Sequence, residues 1–186
     1  LSGAGSISTL ASAGTLTVGT GNATSTFSGD FGRTGDFALG LNKVGTGTLT
    51  LSGANAFTGA VQVGTLAAPG GTLELTGANA FGALTVFAGT VNVSAPLANT
   101  GNITLNNSGR FTSTTSATFF SNTSLILDNT ATNVDDRFNS AAPLTLLADK
   151  AQPARAQIVP PAEVIDTLPS RAIDIDSSSH VALSLR

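Results

Sequence analysis

The side chains that could carry chemistry are few, and an acidic group lies in the C-terminal third of the chain. Asp128, Asp135 and Asp136 could act as an acid/base pair or bind Ca²⁺, because carboxylate oxygens suit both tasks. They lack the Gly-Gly-x-Gly-x-Asp period of calcium-binding β-rolls, and Arg137 follows directly. We therefore interpret this group as a solvated turn or an ion pair.

The single histidine, His180, has no cysteine and no second histidine to join it in a metal site or a triad. It is interpreted as a solvated surface residue. Asp174 and Asp176 flank Ile175 at the spacing of one strand face, which favours a polar outer face over a carboxylate dyad.

Two Gly-x-Gly motifs, Gly19 to Gly21 and Gly45 to Gly47, do not resemble phosphate-binding loops because neither leads into a helical pattern. No convergent nucleophile, base and orienting group remains. We therefore predict a protein that is not an enzyme, with no catalytic residue, no cofactor-binding residue and no metal ligand.

Composition narrows the classes of protein further. Charged residues make up only 10% of the 186 residues, where about 25% is usual, and the net charge of −3 offers no basic patch for nucleic acid. No apolar run approaches the ~18 residues of a membrane-spanning helix. The chain contains no cysteine, which excludes a disulfide framework. A hydrophobic fraction of 41% distinguishes it from a disordered linker.

The elements that must position these residues are short strands. Apolar residues recur as i, i+2 pairs with Thr, Asn, Gln or Glu between them, which is the alternation of a half-buried strand. One phrase is also written twice, Gly-Thr-Leu-Thr-Leu-Ser-Gly-Ala-Asn-Ala-Phe from Gly47 and Gly-Thr-Leu-Glu-Leu-Thr-Gly-Ala-Asn-Ala-Phe from Gly71. The two copies begin 24 residues apart. A fixed period of this length predicts a solenoid whose repeats bury their apolar sides by stacking.

The phrase Gly-x-Gly-Thr-Leu-Thr-Leu-Ser-Gly-Ala-Asn-x-Phe-Thr-Gly, from Gly45 to Gly59, resembles the passenger-associated repeat of bacterial autotransporters and the related autotransporter-associated β-strand repeats. The resemblance covers about 44–87. It implies an all-β fold, a right-handed parallel β-helix, in a secreted or surface-exposed bacterial protein that is often without catalysis.

Stacked parallel strands lie about 4.8 Å apart, so residues one period apart lie above one another. We therefore predict structural stacking of Asn55 on Asn79 and of Phe57 on Phe81, as an amide ladder and an aromatic stack.

The predicted organisation is one domain. Residues 1–147 form β-solenoid repeats, and 148–186 form a Pro-rich excursion followed by a terminal strand. Phe27 to Leu39 is expected to be irregular because glycines interrupt the pattern, and Pro153 to Pro161 to run along the outside because proline cannot donate to a ladder. One turn of helix is expected near Ala162 to Leu168.

Three functions fit these features. The first is a non-catalytic structural module of a bacterial surface or secreted protein, such as a stalk, adhesin segment or fibre unit. The second is a self-assembling subunit of an extracellular filament. The third is a carbohydrate-binding or polysaccharide-acting β-helix. The expected partners are further repeats of the parent chain or copies of itself end to end, because Leu1 to Val18 carries no charge and no proline to protect a terminal edge.

Overall fold

In the computed structural model of the chain, the described residues are 1–32, 36–99, 101–115, 117–119, 124–128, 138–140, 144–146, 155–159 and 173–174. Their regular secondary structure is entirely β-strand. In chain order the strands are β1 (Ser6–Ile7), β2 (Gly14–Val18), β3 (Ser25–Phe27), β4 (Asp30–Phe31), β5 (Leu39–Lys43), β6 (Thr48–Leu51), β7 (Asn55–Val63), β8 (Gly71–Leu75), β9 (Asn79–Val86), β10 (Gly89–Val93), β11 (Leu97–Asn99), β12 (Ile103–Asn106), β13 (Arg110–Ser113), β14 (Ala117–Phe119), β15 (Ser124–Asp128), β16 (Phe138–Ser140), β17 (Leu144–Leu146), β18 (Arg155–Val159) and β19 (Ile173–Asp174).

The strands form two parallel sheets that wind into a β-solenoid. One sheet has the order β3-β6-β8-β10-β13-β16, so each strand pairs with the strand one turn further along the chain. The other contains β1-β4-β7-β9-β12-β15-β18-β19, with β2 and β5 pairing beside β7. We call one turn of the winding a rung. The predicted β-solenoid fold is confirmed.

Alternation of apolar and polar residues fills the interior. In β8 the side chains of Leu73 and Leu75 are buried, and those of Thr72 and Glu74 lie on the outer face and are half-buried. The same alternation recurs in the strands above and below, so inward leucines, valines and phenylalanines form one continuous core. Burying these side chains is the main favourable term in the folding of such a chain.

Rung length varies mainly because one corner varies. Thr48 pairs with Thr72, whereas Thr72 pairs with Thr90, which is a shorter step along the chain. Most of the difference lies between the two sheets, where β7 and β8 are joined by residues 64–70 and β9 and β10 by Phe87 and Ala88. The remainder lies inside β7, whose register against β9 shifts between Phe57 and Ala60.

The N-terminal part is more regular than the sequence indicated. Phe27 to Leu39 was expected to be irregular, but it contains β3 and β4, and Phe31 pairs with Asn55 at the same offset that separates Asn55 from Asn79. Gly29, which interrupts the apolar alternation, lies at a corner where the backbones of two rungs approach closely. Residues 33–35 lie outside the described residues.

The C-terminal part also differs from the expectation. Within the supposed excursion from Pro153 to Pro161, the strand β18 continues the parallel stack on β15, because Pro153 and Pro160 flank the strand and leave its donors intact. Strand β19 then pairs with β18 in the antiparallel direction. The helix expected near Ala162 to Leu168 lies outside the described residues. In the described part of the chain, no helix could cross a membrane.

Candidate functional site: the stacked corners

Asn55 and Asn79 begin β7 and β9 and lie one above the other, both buried. The Nδ2 atom of Asn55 donates to Asn79 Oδ1 at 3.0 Å and to the carbonyl of Gly53 at 2.8 Å. Its Oδ1 atom accepts from the backbone N–H of Phe31 at 3.3 Å, and Asn79 Nδ2 donates to the carbonyl of Gly77. The side-chain amide of Asn55 thus connects three successive rungs, and both of its buried polar atoms have hydrogen-bond partners.

Beside the asparagines runs a column of glycines. Gly5, Gly29, Gly53 and Gly77 follow one another at the same constant offset as the two asparagines. A Cβ atom on Gly53 would lie 2.0 Å from the carbonyl oxygen of Gly29, and one on Gly77 would lie 2.0 Å from that of Gly53. Glycine is therefore required for the rungs to approach each other at this corner.

The aromatic stack is longer than the predicted pair. Phe57 and Phe81 have ring centroids 5.7 Å apart, and the stack continues from Phe57 to Phe31 in the preceding rung at 5.0 Å. The ring of Phe27, in the opposite sheet, packs edge-on against Phe31 at 5.5 Å. All four rings are buried, and these distances lie in the range of favourable aromatic pairs.

A second buried polar group is Lys43, whose side chain is only 1% exposed. It ends β5 on the inward face, where it pairs in the register with Val18 and Val63. The Nζ atom donates to the carbonyls of Val44 at 2.9 Å, Gly45 at 3.2 Å and Gly70 at 2.9 Å. These three acceptors match the three donors of an ammonium group.

Burial lowers the pKa of Lys43 below its ordinary value of 10.5, because removal from water disfavours the charged form. Lys43 also positions the corner formed by residues 64–70. Its backbone carbonyl accepts from Gly64 N at 2.9 Å, and its ammonium holds Gly70 O, so both ends of residues 64–70 are attached to one residue. Leu66, at the outside of this corner, is 75% exposed.

The outer face of the six-stranded sheet is polar and carries little charge. Thr50, Glu74, Asn92 and Thr112 follow one another in the register from β6 to β13. Asn92 Nδ2 donates to Glu74 Oε1 at 2.7 Å. This arrangement provides a hydrated surface in which a side-chain hydrogen bond connects two rungs.

The candidate catalytic residues of the sequence lie far along the chain. Asp128 ends β15, with Asn106 and Val159 as its register partners, and Asp174 lies opposite Arg155. The remaining candidates lie outside the described residues: Asp135, Asp136, Arg137, Asp176 and His180. Across the described ranges, no group of three or more His, Cys, Asp or Glu residues could hold a metal ion.

Sequence reasoning missed Phe31, Lys43 and the glycine column. Two signals were available. Phe31 lies one period before Asn55, and Lys43 follows Leu39 and Leu41 at the spacing of an inward strand face. A lysine at an inward position contradicts the rule that polar residues point outward, and it therefore marks a buried cation that needs acceptors.

Comparison with known families identifies the repeat. Residues 41–68 and 70–93 each match the model of the passenger-associated-transport-repeat, which confirms the resemblance seen from Gly45 to Gly59. No curated protein and no solved structure matches the chain. The repeat and the β-solenoid together indicate an autotransporter passenger domain, and this repeat family implies a secreted or surface protein.

Proposed function

Starting from two passenger-associated-transport-repeats stacked in one solenoid, we propose that the chain is a non-catalytic structural segment of an autotransporter passenger, a stiff stalk outside the cell. The observation that carries the proposal is the filled interior. From Leu41 to Phe111 the inward apolar side chains of the core are at most 2% exposed. An interior of this kind resists bending because displacing one rung breaks contacts on both sides.

Hydrogen bonding supports the same function. The buried amides of Asn55 and Asn79 and the ammonium of Lys43 are engaged with atoms of the neighbouring rungs. These groups connect rungs along the solenoid axis, in addition to the main-chain ladder, so they add to stiffness. We therefore assign these three buried polar side chains a structural role.

The test is to lengthen the stalk by one rung. Duplicating 47–70 in tandem should add one complete turn, because Thr48 pairs with Thr72 and Asn55 with Asn79 at that offset. The expected result is a folded chain with its maximum dimension, measured by small-angle scattering, increased by ~4.8 Å. Its thermal midpoint should stay within a few degrees of the parent's, since repeat stabilities are roughly additive.

The matched control duplicates only 47–58, half of the same segment. This insertion shifts the residues that follow by half a rung, so Thr65 falls on the glycine column and Pro69 falls on the aromatic stack. A side chain does not fit in the glycine column, and a proline cannot donate to the strand ladder. The variant should therefore lose its cooperative unfolding transition. Equal tolerance of both insertions would contradict the proposal. A hydrolytic activity, or glycan binding that disappears when outer-face residues are changed, would also contradict it and would favour a polysaccharide-acting β-helix.

A further inference from the structure

The corner formed by residues 64–70 is longer than the corner below it. The next rung makes the same connection between the two sheets with Phe87 and Ala88 alone. The strands that follow the two corners, β8 and β10, still pair residue by residue. The additional residues of the longer corner are therefore not needed to continue the winding, and they project from the solenoid as a loop.

Two glycines close the base of this loop. A Cβ atom on Gly70 would lie 2.2 Å from the backbone nitrogen of Gly64, so the two ends of the loop are in contact. Gly64 N donates to the carbonyl of Lys43 at 2.9 Å, and Gly70 N donates to that of Ala88 at 2.6 Å. The base is thus bonded to the rungs on both sides, and residues 65–69 lie beyond it.

Beyond the base, the loop is held by hydrogen bonds of its own. Thr65 N donates to Ala68 O at 2.9 Å, and Ala68 N donates to Thr65 O at 3.4 Å. The Oγ1 atom of Thr65 accepts from the backbone N–H of Ala67 at 3.3 Å and of Ala68 at 3.0 Å. Threonine hydroxyls stabilise turns in this way. Residues 65–68 therefore form a closed turn, which we call the corner turn.

The tip of the loop is apolar and exposed. The side chain of Leu66 is 75% exposed, and Ala67, Ala68 and Pro69 are exposed as well. Exposed loop tips with small residues are preferred sites of proteolytic cleavage. The bond between Ala67 and Ala68 suits a serine protease of the elastase type, which cuts after small aliphatic residues. A stalk outside the cell needs protection at such a bond.

The corner turn provides that protection. A protease binds its substrate as an extended strand and pairs with main-chain N–H and C=O groups. In the corner turn, the main-chain groups of Thr65 and Ala68 are paired with each other, so the turn must open before the bond can be cut. The rate of cleavage then follows the population of the open form.

We infer that the hydroxyl of Thr65 keeps the corner turn closed and thereby protects the loop from extracellular proteases. The inference rests on the proposed function for one point, the location outside the cell. Opening the corner turn breaks the bonds within residues 65–68, whereas the base at Gly64 and Gly70 stays bonded to the neighbouring rungs. The protection is therefore local, and its loss leaves the rungs folded.

Digestion of the full chain with elastase tests the inference. Mass spectrometry counts only products that begin at Ala68, so that cuts elsewhere do not contribute. A synthetic peptide of residues 62–72 carries the same bond without the solenoid and should be cut at least about a hundredfold faster than the folded chain. Thr65→Val keeps the shape of the side chain and removes the two hydrogen bonds to Oγ1, so cleavage after Ala67 should become about tenfold faster.

Two further variants serve as controls. Thr65→Ser keeps the hydroxyl and should restore the protection. Thr85→Val makes the same change on the outer face of β9, away from the loop, and should leave the cleavage rate as it is in the parent. The urea midpoint of every variant should match that of the parent, because the corner turn opens without unfolding the rungs.

Three results would overturn the inference. The first is a folded chain that is cut after Ala67 as fast as the peptide. The second is a Thr65→Val variant that is cut no faster than the parent. The third is a fall in urea midpoint large enough to account for the faster cleavage, which would place the effect in global unfolding. These readouts do not depend on the tandem duplication of 47–70, so the stalk and the protected turn can fail separately.

Discussion

Two buried polar groups join the rungs of this solenoid in contrasting ways. Asn55 and Asn79 repeat with the period of the chain, and each donates to a glycine carbonyl two residues before it. Lys43 occurs once, among valines, and reaches carbonyls from two separate corners. The repeated amide can extend the stack by another copy of itself, whereas the single ammonium fixes one loop that does not repeat.

The difference has an energetic basis. An amide carries both donors and an acceptor, so a column of amides satisfies itself as it grows. An ammonium has only donors, and burying it requires acceptors and costs more in desolvation than burying a neutral amide does. A lysine is therefore suited to one position where several carbonyls already converge, such as the ends of residues 64–70.

Breaking the asparagine corner should give the largest effect. Gly53→Ala puts a Cβ atom 2.0 Å from the carbonyl oxygen of Gly29, and neither backbone can move without separating the rungs. We expect a loss of about 3 kcal/mol in the free energy of unfolding, measured by urea denaturation. The control is Gly21→Ala, where nothing lies within 4 Å of the added atom. Similar losses for both variants would contradict the role of the glycine column.

Breaking the lysine corner should cost somewhat less. Lys43→Met keeps an unbranched side chain without the terminal ammonium and leaves the carbonyl of Gly70 without its donor, so we expect a loss of about 2 kcal/mol in the free energy of unfolding. Amide exchange should accelerate at Gly64 and Gly70 before it accelerates at Asn55, because the effect begins in the loop. A variant as stable as the parent, with unchanged exchange, would show that the ammonium does not hold this corner.

A double-mutant cycle sharpens the asparagine side of the comparison. Asn55→Leu and Asn79→Leu each leave a buried amide without its partner, whereas the double variant removes both amides together. We expect the two losses to be less than additive, with a coupling of about 1 kcal/mol. Strict additivity would mean that the two amides act separately and do not form a ladder.

The smallest effect concerns pH. Because burial lowers the pKa of Lys43 in the folded state, the folded chain binds this proton less tightly than the unfolded chain does. The contribution of Lys43 to the free energy of unfolding should therefore rise as pH increases from the lowered pKa to 10.5, and stay constant below that window. After deprotonation, the neutral amine of Lys43 still has two N–H donors for the backbone carbonyls around it.

The measurement is the difference between wild type and Lys43→Met in urea midpoint across the alkaline range. Taking the difference cancels the titration of the groups that the two proteins share. A difference that falls with pH would show that the hydrogen bonds to the ammonium outweigh its desolvation.

The repeated part of the fold could be predicted from sequence to the level of single residues. The pairs Asn55 with Asn79 and Phe57 with Phe81 follow from one offset, since identical phrases stacked in parallel place identical residues together. Phe31 was assigned to an irregular stretch because only its position one period before Asn55 shows the repeat, and Phe31 replaces an asparagine there.

What the sequence by itself determined is the alternation of the strands, their parallel stacking and the register of the two copies of the phrase that begins at Gly47 and at Gly71, because these features depend on patterns that repeat along the chain. Only the tertiary structure decided which carbonyls Lys43 reaches, how residues 64–70 make their own rung longer than the next, and that β18 joins the stack. These features depend on how one particular loop closes, and a loop that occurs once leaves no repeat in the sequence from which its contacts could be read.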